Sequence, residues 1–178
     1  SEEEDARRLL EEVERALREI KKRLKELLER HRRAVEELKK RAEDLLDEHR
    51  RAIERIADER GDRDTIADKV RKEIERSHTE LKKLEEEIER ISRDADRRVK
   101  EIAREAEELL RELEERLERK RVSEEIKRRL KELAKDLRRA IKEVKERLKE
   151  SHDELKRAIE DVKRKLEELD EKLKRDED

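Results

Sequence analysis

The sequence lacks several residue types, and each absence limits what the protein can be. Among its 178 residues there is no cysteine, proline, methionine, phenylalanine, tryptophan or tyrosine, and there is a single glycine. Without cysteine the chain has no disulfide framework and no thiolate chemistry. No apolar run approaches the roughly 20 residues that a membrane span needs, and no signal-peptide pattern is present. We therefore expect a soluble protein, and the sequence assigns it to no compartment.

Charge is the dominant feature of what is present. Charged residues make up 63% of the chain, and the 30% that is apolar is almost entirely Leu, Ile, Val and Ala. The 55 basic and 57 acidic residues are interspersed, giving a net charge of −2. No basic block favours nucleic acid or an anionic membrane. A chain this polar could be disordered, but disordered segments lack the apolar periodicity that this sequence shows throughout.

The apolar residues repeat with the period of an α-helix. Residues 27–44 read LLERHRRAVEELKKRAED, and residues 45–62 repeat them as LLDEHRRAIERIADERGD, a spacing of 18 residues. Five core positions per repeat give 3.6 residues per position, which matches the helix itself and imposes no supercoil. Flanking apolar positions widen the stripe enough for a helix that packs against two neighbours.

Two breaks divide this pattern into three helices. Gly61 stands where a left-handed residue could end a first helix. Thr65 with Asp68 resembles a capping box for a second helix, and Ser123 is a suitable N-cap for a third. The pattern predicts helices at about 2–60, 65–119 and 124–175. Short loops favour antiparallel neighbours. We expect an all-α protein, a single domain over 1–178 that folds as a long, nearly straight, up-down-up three-helix bundle.

Polar residues interrupt the otherwise aliphatic core positions. His31 and His49 occupy the position that Val13 fills one repeat earlier in the first helix. The other two histidines stand at stripe flanks in related S-H-x-E-L-K motifs, each directly after a serine at a stripe centre. The predicted buried polar or proton-sensing residues are His31, His49, His78, His152, Ser77, Ser92 and Ser151.

Counting along the helices from the two turns places these residues in two layers. His49 is expected near Ser77 and His78, with an aliphatic contribution near Leu169. His31 is expected in the other layer, which the count assigns to Ser92, Ser151 and His152. In an alternative arrangement, His78 and His152 point to solvent and only His31 and His49 are buried.

Two interpretations of these layers stay open. A buried polar group without a partner costs about 1–3 kcal/mol, and a serine hydroxyl can pair with either form of an imidazole nitrogen. Buried networks of histidine and serine would therefore oppose alternative registers of a uniform aliphatic core. The second interpretation is a pH switch. Burial disfavours a charged imidazole, so protonation below about pH 6.5 is expected to destabilise or rearrange the bundle.

Catalytic, cofactor and metal sites are not predicted. A serine beside a histidine can indicate a nucleophile and its base, but no pocket-forming loop or glycine-rich oxyanion element accompanies the pairs. The alternative for these histidines is a two-histidine metal site, formed by His31 with His152 or by His49 with His78. His31 and His49 themselves lie about 27 Å apart along one helix. We expect no catalytic residues, no cofactor and no bound metal.

The whole chain resembles de novo designed, parametrically generated helical bundles. The resemblance rests on the repeated LLERHRRAVEELKKRAED segment, the missing proline and aromatic residues, and the Glu, Lys and Arg that fill the outer faces. Within that class it is similar to bundles given buried histidine-containing hydrogen-bond networks, which respond to acid. Many of those pair histidine with Asn or Gln, and this chain has neither.

The resemblance implies a protein without a natural enzymatic activity. It implies a pH-responsive bundle or, as the alternative, a rigid scaffold or a subunit of a designed oligomer or filament. We expect a monomer, since the apolar residues outside the stripes are mostly alanine, with self-association as the alternative. No nucleic acid or small-molecule substrate is expected, and membrane contact is expected only after acid-induced opening.

Overall fold

The computed structural model describes residues 1–177, with side chains described as far as residue 175. Helix α1 spans Glu2–Asp58, α2 spans Arg63–Glu118 and α3 spans Glu124–Glu177. The predicted all-α, up-down-up three-helix bundle is confirmed, and the described residues contain no strand. Each helix ends or begins within about two residues of its predicted limit. None of the helices in the described part is long and apolar enough to cross a membrane.

Side-chain and backbone caps fix the start of each helix. The Glu4 amide donates to the hydroxyl of Ser1 at 3.3 Å, and the Ile126 amide donates to the hydroxyl of Ser123 at 3.4 Å. These contacts satisfy amides that lack a partner at a helix N-terminus. The expected cap at Thr65 is wrong, because α2 already begins at Arg63 and the Ile66 amide donates to the carbonyl of Asp62 at 3.1 Å. Aspartate is itself a favoured N-cap residue, which explains the earlier start.

The expected left-handed conformation at Gly61 is also wrong. No glycine in the described chain has a positive φ angle, and α1 ends at Asp58, three residues before Gly61. The Glu59 amide donates to the Ile56 carbonyl at 3.2 Å, which tightens the last turn of the helix. The helix therefore ends without needing a glycine.

The chain comprises two compact units, and each has its own core. The first unit comprises Ser1–His31 and Arg93–Glu150. Its aliphatic cluster contains seven buried side chains from each of the three helix segments. The buried aliphatic residues are Ala6, Leu10, Val13, Leu17, Ile20, Leu24, Leu27, Ala95, Val99, Ile102, Ala106, Leu110, Leu113, Leu117, Ile126, Leu130, Ala134, Leu137, Ile141, Val144 and Leu148.

The second unit comprises Arg32–Ser92 and Ser151–Asp178. Its aliphatic cluster is smaller, with twelve buried residues. They are Val35, Leu38, Ala42, Leu45, Leu46, Leu81, Leu84, Ile88, Leu155, Ile159, Val162 and Leu166. The same unit also buries three polar residues, His49, Ser77 and Asp170. The first unit buries one polar residue, His31, the last residue of its α1 segment.

Candidate functional site

The candidate site is built around His49, whose side chain is 0% exposed. The helical period places residue 49 on the inward face of α1, between the buried Leu46 and Ile53. Its Nδ1 atom lies 3.2 Å from Oε1 of Glu73 on α2. Its Nε2 atom lies 2.9 Å from Oδ1 of Asp170 on α3. One imidazole ring thus joins the segments of all three helices in the second unit.

Glu73 connects this buried ring to a surface arginine. Its side chain is only 11% exposed, and Arg76, one turn along α2, donates two hydrogen bonds to it at 2.9 and 2.7 Å. Burial acts to raise the pKa of the Glu73 carboxyl, but the hydrogen bonds and positive charges of Arg76 and His49 lower it. The net pKa of Glu73 lies below its ordinary value of 4.5. Glu73 is therefore held as a carboxylate at neutral pH.

Asp170 is shared by two histidines. Its Oδ1 accepts from His49, and its Oδ2 lies 3.2 Å from Nε2 of His78 on α2. Asp170 is buried, whereas the side chain of His78 is 43% exposed. The network of His49, Glu73, Arg76, His78 and Asp170 therefore runs from solvent to the bundle interior and back. We call these five residues the His49 network.

Ser77 lies beside the network without pairing with His49. It is fully buried, and its hydroxyl donates to the Ile74 carbonyl of its own helix at 2.9 Å. Serine in a helix commonly makes this local bond to a carbonyl three or four residues back. The partner role that the sequence analysis gave to serine is filled at His49 by carboxylates instead.

The remaining predicted site residues lie elsewhere. His31 is buried and is the last residue of the first segment in its unit. Ser92, Ser151 and His152 are half-buried residues of the second unit. Nε2 of His152 lies 3.9 Å from Oε1 of Glu89, and its Nδ1 atom is buried without a hydrogen bond among the described residues. The predicted layer around His31 stays a prediction.

The sequence pattern does not single out the two carboxylates that face His49. The count from the turns set residue 74 and the neighbourhood of Leu169 opposite His49, each one residue from Glu73 and Asp170. Ile74 is adjacent to Glu73 and Leu169 to Asp170, and because these two neighbours are apolar, the pattern favours them as the core residues. One signal was available: Asp170 continues the four-residue step from Val162 to Leu166, both of which are buried.

The chemistry of the network is that of hydrogen bonds and ion pairs. Among the described residues, no group of three or more His, Asp or Glu side chains is arranged to hold a metal ion. The arrangement can hold protons, bind three helix segments to one another and oppose alternative registers. A buried ion pair that loses one partner typically costs about 3–5 kcal/mol.

Comparison with known proteins agrees with this description at the level of the fold. No protein-family model matches the sequence, and no curated protein matches it. One solved structure that matches is titled "Computationally designed three helix bundle", with a TM-score of 0.55 and 21% sequence identity. The match covers 98% of this chain and 89% of that one. The chain therefore has the fold of a designed three-helix bundle, as the resemblance in its sequence implies.

Proposed function

We propose that this chain is a designed helical bundle whose second unit is held in one register, and made sensitive to acid, by the His49 network. The observation that carries the proposal is the fully buried His49 with one carboxylate on each of its ring nitrogens. This role requires no substrate, cofactor or reaction. The proposed function is a free energy of unfolding that depends on pH.

The register argument follows from what would replace His49 if α1 slipped. A shift of one turn would bring the aliphatic Leu46 or Ile53 between Glu73 and Asp170. Two carboxylates would then be buried without the histidine, at a cost of about 3–5 kcal/mol. An aliphatic core with a regular repeat imposes no comparable cost on a slipped packing. The network therefore favours one pairing of the three helix segments.

The acid argument rests on Glu73. Its folded pKa is lowered, so it contributes stability that is fully present above its unfolded value of 4.5. That stability is lost as the pH falls through the lowered folded pKa, because the unfolded chain then binds the proton more readily. Protonation of Glu73 also removes the negative charge that faces Arg76 and His49. The proposed acid response thus begins below pH 4.5 and belongs to a carboxylate.

The test is the free energy of unfolding in urea between pH 7 and pH 3, for the native chain and for Glu73→Gln. We expect the variant to be less stable at pH 7 by about 1–3 kcal/mol, the worth of a hydrogen-bonded buried charge. We expect this difference to shrink below pH 4.5. Light scattering on the same samples should give the 21.8 kDa monomer, since none of the described large hydrophobic residues is exposed.

Glu107→Gln is the matched control in the first unit. Glu107 also accepts two hydrogen bonds from one arginine, Arg138, at 2.9 and 3.1 Å, and these bonds lower its pKa against the effect of burial. Its side chain is half exposed and touches no buried histidine, so its loss should cost at most about 1 kcal/mol. Equal pH profiles for the native chain and Glu73→Gln would refute the acid response and leave the rigid scaffold as the function.

A further inference from the structure

The two ring nitrogens of His49 face acceptors on both sides. Oε1 of Glu73 lies 3.2 Å from Nδ1, and Oδ1 of Asp170 lies 2.9 Å from Nε2. An ionised carboxylate can only accept a hydrogen bond, whereas a neutral imidazole has one donor and one acceptor. A neutral His49 would direct a lone pair at one of the two carboxylates. Only the imidazolium, with a proton on each nitrogen, donates to both.

The charges around the ring balance in that form. From α2, His49 faces Glu73, which Arg76 contacts on its other side, and from α3 it faces Asp170, which His78 of α2 also contacts. On its own helix, Glu48 approaches Arg76 at 4.0 Å. A protonated His49 and Arg76 together match the two carboxylates of the core. With a neutral His49, the half-exposed His78 would be the remaining contact of the buried Asp170 that can carry a positive charge, and a buried charge without a close counter-charge is costly.

His78 differs from His49 in what its geometry requires. Its Nε2 atom is 3.2 Å from Oδ2 of Asp170, and its side chain is 43% exposed, so solvent reaches the ring. A neutral His78 with its proton on Nε2 donates that hydrogen bond without any charge. His78 is therefore the natural comparison for His49: it contacts the same carboxylate but needs no second proton.

We infer that the folded second unit contains a specific proton-binding site at His49, so that folding at neutral pH captures a proton on the ring. This inference rests on the proposed role of the His49 network. It adds the direction in which the stability of the second unit changes above about pH 6. An unfolded histidine releases its proton above about pH 6.5. The folded unit that keeps it there must therefore become less stable as the pH rises. The network should therefore lose stability in two pH ranges: in acid, where Glu73 becomes protonated, and in base, where His49 loses a proton.

The first experiment reads the protonation state directly on the native chain labelled with ¹⁵N in histidine. At pH 7.5 both ring nitrogens of His49 should show protonated-type ¹⁵N shifts, each coupled to a slowly exchanging hydrogen. The His49→Gln variant identifies the His49 signals, and the His152→Gln variant, which lies outside the His49 network, should leave them unchanged. A His49 ring with one unprotonated nitrogen at this pH would overturn the inference, whatever the stability measurements give.

The second experiment measures the folding equilibrium constant in urea between pH 6.5 and pH 8.5. For the native chain and for His152→Gln, we expect it to fall as the pH rises, by at most about tenfold per pH unit, the limiting slope for one captured proton. Asp170→Asn is the conservative variant, because its amide can donate to a neutral Nε2 and no longer requires the second proton. Its slope should be clearly smaller, and equal slopes in all three proteins would overturn the inference.

The two proposals fail separately. If the stability of the native chain shows no acid response below pH 4.5 but His49 carries two ring protons at pH 7.5, only the proposed role of Glu73 is refuted. An acid response with a neutral His49 would refute the proton-binding site alone.

Discussion

The two units of the bundle fill equivalent positions with opposite chemistry. The first unit surrounds Val13, at one position of the 18-residue repeat, with an aliphatic cluster, and contains the buried His31 at the same position one repeat later, where its α1 segment ends. The second unit places His49 at the corresponding position two repeats later and surrounds it with Glu73 and Asp170. The aliphatic core stabilises mainly through buried area, which is non-directional. The polar core adds little area, but it discriminates between pairings because its hydrogen bonds require particular partners.

This difference shows what a histidine needs in order to occupy a helical core. The charge of an imidazolium must be matched, and each nitrogen must have a partner. In the second unit those partners come from two other helix segments, so the histidine cannot be understood from its own helix. Two substitutions test this comparison: valine in place of His49 in the second unit, and histidine in place of Val13 in the first.

The largest expected effect is that of His49→Val, which gives the second unit the residue of the first. The substitution leaves Asp170 and Glu73 buried without the ring between them, and removing one partner of a buried ion pair costs about 3–5 kcal/mol. Urea unfolding at pH 7 measures the loss. The double variant His49→Val with Asp170→Leu should recover most of it, because Glu73 keeps Arg76 and the exposed His78 can be solvated.

A double variant less stable than His49→Val would contradict this account. It would mean that the leucine packs badly or that Asp170 contributes through contacts other than those with the two histidines. The coupling energy between the two positions, obtained from the complete double-mutant cycle, separates these cases.

The reverse exchange, Val13→His, should have a smaller effect at high pH, and its new histidine should respond to pH in the direction opposite to His49. Val13 lies in the aliphatic cluster of the first unit, so the new ring has no carboxylates built around it. At pH 8 we expect a loss of about 1–3 kcal/mol from a buried polar group without partners. Because burial disfavours the charged ring, the loss should grow as the pH falls below about 6.5.

Unfolding of Val13→His at pH 8, 6.5 and 5 tests this expectation. The native chain should gain stability over the range from pH 8 to 6.5, in which the variant gains none from its new histidine. Because the variant keeps His49, the difference between the two chains reports on the new histidine. A difference that shrank as the pH fell would contradict this account, because the new ring would then respond as His49 does without paired carboxylates.

The fold could be predicted from the sequence because every helix repeats the same period. An apolar position every 3.6 residues, interrupted at two short segments, leaves few alternatives to three antiparallel helices. The details at the helix ends were less certain. Asp62, Thr65 and Gly61 are all residues that favour helix ends, and only their hydrogen bonds decide which one acts.

The site could be predicted only in part, for a reason that lies in the composition. The four histidines were visible because histidine is rare in this chain, with four among 178 residues. Glu73 and Asp170 are two of 57 acidic residues, nearly all of which belong on a solvated surface. Each also stands beside an aliphatic residue that fits the core equally well. Their burial results from contact between helix segments, which a single helix pattern does not contain.

The smallest expected effects on stability come from substitutions in the two loops between helices, one in each unit. In the first unit, the backbone amides of Arg121 and Ser123 donate to the carboxylates of Glu2 and Glu3 at 3.3 and 3.2 Å, and Ser123 caps α3. In the second unit, the loop between α1 and α2 contains Gly61. This glycine has no positive φ angle, and a Cβ placed there would meet nothing within 4 Å.

Gly61→Ala should therefore stabilise the protein by about 0.4–1 kcal/mol, because alanine restricts the unfolded chain and costs nothing in the folded one. Ser123→Ala is the control of opposite sign and should cost about 1 kcal/mol through the lost cap. Thermal unfolding at pH 7 resolves both changes when the two variants are measured beside the native chain. A destabilised Gly61→Ala would show that the loop of the second unit depends on glycine after all, in a conformation that an L-residue cannot share. An unchanged Ser123→Ala would show that Glu2 and Glu3 hold the other loop without the serine hydroxyl.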